Sequence, residues 1–109
     1  MKILIVAPKD YGFTFLQRWL KLHEVLTVEK DQAIQALNAN PDLNTVFCFA
    51  DYGKYAHVGM EDVYQSLKTL LKTKKPKLVR LSWTNPETKT SDFFLPLPTC
   101  EETIEKILG

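Results

Sequence analysis

The sequence predicts an α/β fold: a three-layer α/β/α sandwich on a five-stranded parallel sheet of order 2-1-3-4-5, in a single domain spanning residues 1–109. Three observations predict it. Apolar runs such as KILIV at Lys2–Val6 are continuous rather than alternating, which suits strands covered on both faces. Segments between these runs repeat their apolar residues at helical spacing. Strands and helices alternate over a short length, which implies crossover connections and helices on both sides of a parallel sheet.

The first strand is Lys2–Val6. From Tyr11 to Leu22, residues Phe13, Leu16, Trp19, Leu20 and Leu22 form one stripe opposite Gln17, Arg18 and Lys21, an amphipathic helix for which Asp10 can serve as cap. Val25–Val28 reads as the second strand. Asp31–Leu37 reads as a helix that ends at NANPD, because proline turns the residue before it away from helical angles. Asn44–Phe49 is the third strand. After Gly59, Val63, Leu67, Leu70 and Leu71 define the apolar stripe of a helix with acids early and lysines late, as the helix dipole prefers. Leu78–Ser82 is the fourth strand and Phe93–Leu95 a short fifth. Thr99–Leu108 is the last helix, with Thr99 and Glu102 spaced as a capping box. Only about ten residues, rich in Asn, Pro and Thr, join the last two strands, so the fourth helix of the pattern is expected to be reduced or absent.

Composition narrows the function classes. A 109-residue chain with 45% apolar residues can bury a core without staples. The balance of 14 Lys+Arg against 13 Asp+Glu leaves a net charge of +1, which favours neither nucleic acid nor an anionic membrane. Two cysteines, Cys48 in an apolar strand and Cys100 before a helix, do not imply a bridge, and reduced thiols point to the cytoplasm. The run Ile3–Ala7 stops at Pro8, too short for a signal sequence or a membrane span.

The chain is organised around Asn44–Gly59, NTVFCFADYGKYAHVG, where a central strand delivers Asp51 to a loop. In a sheet of this order ligands bind beyond the carboxyl ends of the first and third strands. That rim carries Ala7–Asp10, Asp51–Tyr55, Ser82 and Trp83.

QAIQAL and PDL ahead of a strand ending in Asp51, Gly59 eight positions later, and DFFLPLPTCEETIEKIL at the end together resemble the receiver domain of two-component response regulators. The resemblance spans nearly the whole chain and implies a CheY-like, flavodoxin-like fold with Asp51 at the phosphoacceptor position. It also marks departures. Receivers hold Mg²⁺ with two acids after the first strand, since a hard cation must offset charge on the phosphoryl group; this chain has Ala7 and Pro8 there, with Asp10 displaced beyond the proline. The family's lysine is matched by Pro96 or Leu97, and its hydroxyl after the fourth strand by Ser82.

Several residues admit two readings. Asp51 is a phosphoacceptor or a loop carboxylate satisfied by turn amides or a cation. The rim lysines Lys9 and Lys54 either fill part of the metal's space or point into water. Tyr11, Tyr52, Tyr55 and Trp83 either dock a partner or ligand or simply cover the sheet end. Lys68, Lys72, Lys74, Lys75 and Lys77 suit a solvated helix terminus better than a nucleic-acid face. Arg80, inside LVRLS, must be paired if it points inward, or else reach an exposed edge that could meet another chain. His23 and His57 have no partner at metal-ligand spacing, and no cofactor is implied.

The expected function is a non-catalytic pseudo-receiver, a signalling module that is not an enzyme. Its partner would be another protein or a second copy, docked through the surface from the fourth strand to the last helix. The alternatives are a working phosphoacceptor using Asp51 and a small-molecule-binding domain using the aromatic rim.

Overall fold

A computed structural model describes residues 2–8, 18, 20, 23–51, 60–71, 76–82, 93–97 and 101–108. Its strands are β1 (Lys2–Val6), β2 (Glu24–Val28), β3 (Thr45–Phe49), β4 (Lys77–Ser82) and β5 (Phe93–Pro96). The helices are α1 (Ala33–Ala39), preceded by a 3-10 turn at Lys30–Gln32, α2 (Met60–Leu70) and α3 (Glu101–Leu108). All strand pairs are parallel, in the order β2-β1-β3-β4-β5. The expected sheet is thus the one observed, each described strand lying within a residue of its expected bounds. The helix expected over 11–22, the cap at Thr99 and the reduced fourth helix in 83–92 fall outside the described residues. Arg18 and Leu20 are described, and Leu20 is fully buried while Arg18 is exposed, as the apolar stripe requires.

Successive strand residues point to opposite faces, and two cores follow from that period of two. Ile3, Ile5, Phe47, Phe49, Val79, Leu81 and Leu95 face Ile104 and Leu108 of α3, with Leu20 beside them. Leu4, Val6, Val46 and Cys48 face Ala33 of α1 and Met60, Tyr64 and Leu67 of α2. Both faces of β1 and β3 are therefore dry, which explains why these strands read as unbroken apolar runs. Each buried Leu, Ile or Phe contributes about 1.5–3 kcal/mol, so the three layers hold by burial rather than by helix propensity.

The face of α2 differs from the stripe expected for it. Met60, Tyr64 and Leu67 are buried, Val63 and Leu71 pack at the margin, and Leu70 is 49% exposed. Tyr64 lies three residues before Leu67 and takes the central place because the sheet offers its ring a specific partner, described below. Leu70 lies toward the groove at the ends of α1 and α2, lined by Leu37, Pro41, Leu70, Leu71 and Pro76.

Ends of elements are fastened individually. Asn40 donates from its side chain to the Ala36 carbonyl (2.7 Å), satisfying a carbonyl that the end of α1 would otherwise leave open. The Lys77 ammonium donates to the Ile107 carbonyl (2.8 Å), tying the C-terminal turn of α3 to the start of β4.

Candidate functional site

The strand order reverses at β1, and the rim beyond β1, β3 and β4 is the crevice such sheets use. Backbone bonding continues past the strands: Ala7 N–H donates to the Val28 carbonyl (3.1 Å), Ala50 to Leu81 (2.9 Å) and Leu97 to Ser82 (2.7 Å). This extends the order of the sheet to Asp51, which directly follows Ala50. Asp51 is buried, only 9% exposed, and Ser82 is fully buried. Ser82 Oγ donates to Asp51 Oδ1 at 2.8 Å. Two residues assigned to one rim by sequence are thus in direct contact.

Arg80 precedes Ser82 by two residues and so projects to the same face of β4. It is 2% exposed. One guanidinium nitrogen, Nη1, donates to the Ala50 carbonyl (3.2 Å) and to Glu61 Oε2 (2.7 Å), while Nη2 donates to Glu61 Oε1 (3.2 Å). The guanidinium carbon lies 4.0 Å from the centre of the Tyr64 ring. A planar cation held by a forked carboxylate and an aromatic face is a form of burial that arginine tolerates and lysine does not. Arg80 is therefore paired inward, and the possibility that it reaches an exposed edge to meet another chain is corrected by this geometry. Glu61 and Tyr64 were not legible as its partners, because an acid in a first helical turn is already explained by the helix dipole.

Cys48 lies opposite Arg80 in the β3–β4 register. Burial pushes its thiol up to about 12, against a lowering by the Arg80 guanidinium and a further raising by the Glu61 carboxylate. The thiol is free, neutral and a core residue, as its place in the strand implied.

At the end of β1, Ala7 is 2% exposed and belongs to the core on the α3 face. Neither it nor Pro8 offers a side-chain oxygen. Among the described residues no three His, Cys, Asp or Glu side chains come together as a metal site. Receivers draw on acids after the first strand to hold Mg²⁺, and the described positions there in this chain are Ala7 and Pro8. Leu97, one of the two residues matched to the lysine of receivers, is also buried in the core. Lys9, Asp10, Tyr11, Tyr52, Lys54, Tyr55, Gly59 and Trp83 lie outside the described residues. Of the basic cluster, Lys68 is exposed and Lys77 is tied to α3, while Lys72, Lys74 and Lys75 are outside.

The order of this sheet, its three layers and an aspartate at the end of β3 facing a hydroxyl at the end of β4 define a protein with the CheY-like receiver fold. Solved structures agree. The chain superposes on a CheY-like response regulator receiver domain from Methylobacillus flagellatus with TM-score 0.74 at 19% identity, covering 99% of this chain and 95% of that one. It matches the receiver domain of the hybrid histidine kinase CckA with TM-score 0.69 at 18% identity, over 99% and 95% of the two chains. The chemotaxis protein CheY4 of Vibrio cholerae gives 0.73 at 14% identity, over 98% and 94%. At these identities the likeness establishes the fold. No protein-family model matches the chain, and no curated protein matches it in sequence.

Proposed function

We propose that this chain is a cytoplasmic pseudo-receiver: a non-catalytic regulatory module that keeps the receiver architecture and acts through protein contacts without ordinary Mg²⁺-dependent aspartyl phosphorylation. The observation that carries this reading is the end of β1, where Ala7 is committed to the core and Pro8 follows, so the two positions that hold acids in receivers offer no carboxylate beside Asp51. An acid at position 7 would have to bury its charge among Ile5, Phe49 and their neighbours, at a cost of several kcal/mol. The site retains its anchoring carboxylate and its hydroxyl, and these serve to fix the rim. The docking surface is the segment from β4 through β5 to α3, with a protein partner or a second copy as its occupant. No described helix is long and apolar enough to cross a membrane.

A working phosphoacceptor is the second reading, favoured by the Ser82 hydroxyl against Asp51. Intact-mass spectrometry after incubation with Mg²⁺ and acetyl phosphate separates the two. The pseudo-receiver gains no phosphoryl group. A gain that disappears in Asp51→Asn overturns the proposal. Equilibrium sedimentation and affinity capture with the intact chain, compared with a variant altered on the exposed face of α3 such as Glu105→Lys, test the docking surface.

A further inference from the structure

Arg80 bonds residues on either side of positions 52–59 in the chain. It bonds the Ala50 carbonyl just before that segment and the Glu61 carboxylate just after it, while its neighbour Ser82 on the same face holds Asp51. Ala50 and Glu61 are therefore joined through one buried guanidinium. We propose that Arg80 is the positioning residue of Asp51, coupling the Asp51 carboxylate to the first turn of α2 through the Ala50 carbonyl and the Glu61 carboxylate. The inference concerns the same site as the proposed function but stands whether or not Asp51 is ever phosphorylated.

The physical argument is one of shared constraint. Asp51 and Ala50 are adjacent in the chain, so a displacement of one moves the other's carbonyl relative to Arg80. The fork between Arg80 and Glu61 is directional, and a guanidinium pressed on Tyr64 has little freedom to follow a moving carbonyl without loosening the carboxylate. Coupling of this kind is reciprocal. The outer end of the relay is Glu61, whose side chain is 44% exposed.

Amide hydrogen exchange followed by NMR, without Mg²⁺ or phosphodonor, tests the coupling through Asp51→Ala, Arg80→Met and the double variant. With Arg80 present, Asp51→Ala is expected to speed exchange at the Tyr64 and Gln65 amides by about tenfold; in the Arg80→Met background the same change is expected to alter it less than about twofold. An equal change in both backgrounds, or none in either, overturns the proposal. If Arg80→Met does not fold, Glu61→Gln replaces it, because the neutral amide keeps the volume while weakening the fork. The phosphoryl-transfer experiment reads mass and this one reads exchange, so the failure of one is distinct from the failure of the other.

Discussion

Ser82 Oγ and Asp51 Oδ1 are 2.8 Å apart at the buried ends of two adjacent strands, and the hydrogen bond between them joins residues 31 positions apart in the chain. It is the contact in which fold and site meet. A carboxylate so little exposed requires donors, and β4 supplies this one because its last residue is a serine rather than another aliphatic.

Removing that donor should be felt as stability. Ser82→Ala is expected to cost about 1.5–3 kcal/mol, the range for a hydrogen bond to a charged group, whereas Ser82→Thr, which keeps the hydroxyl, should cost less than about 1 kcal/mol. Urea denaturation of the two variants checks the difference; equal losses would mean that the hydroxyl is not what matters.

The Arg80–Glu61 pair should respond unequally to loss of its two members. Arg80→Met leaves Glu61, which is partly exposed and can turn to water, and should cost roughly 1–2 kcal/mol. Glu61→Leu leaves a guanidinium 2% exposed without its counter-charge and should cost roughly 3 kcal/mol or more. Denaturant midpoints measured on both variants decide it, and the reverse order would contradict the buried fork.

Cys48 predicts a loss of stability in alkali. The thiol ionises near 9.0 when unfolded and near 12 when folded, so below pH 9 it is neutral in both states and its contribution is fully present. Between the two values the unfolded chain releases a proton that the folded chain retains, and stability falls by up to about 1.4 kcal/mol per pH unit. Urea midpoints at pH 8 and pH 10.5 should therefore drop less in Cys48→Ala than in the parent, from whatever lower starting stability the cavity leaves.

The contact of Lys77 with the Ile107 carbonyl should be worth about 1 kcal/mol, combining a charge-assisted hydrogen bond with the negative end of α3. Lys77→Met is expected to raise exchange at amides of α3 while leaving those of α1 unchanged. By contrast, Asp42→Asn, which removes one of the two exposed acidic partners of Lys2, should shift stability by less than about 1 kcal/mol.

The sheet, its order and the faces of its strands are legible along the chain because they depend on local quantities. Unbroken apolarity in Lys2–Val6 and Thr45–Phe49 states that both faces are covered, and the alternation with helical stripes implies the parallel arrangement. The nearness of Asp51 and Ser82 was legible too, since the ends of β3 and β4 adjoin in a sheet of this order. The stripe on α2 was only half legible. Its period is clear in the sequence, yet the periodicity of Val63, Leu67 and Leu70 does not tell which flank turns inward, and the choice fell to Tyr64 because Arg80 was there to meet it.

By itself the sequence determined a three-layer α/β protein with a carboxylate at the mouth of its central strand and no acids at the end of the first. Only the tertiary structure decided what Arg80 does. Its partners Ala50, Glu61 and Tyr64 lie 30, 19 and 16 positions away, and nothing in the periodicity of β4 distinguishes an arginine paired inside from one reaching out. Secondary structure follows from spacing between near neighbours, whereas the pairing of a buried charge follows from which surfaces the packed layers bring face to face.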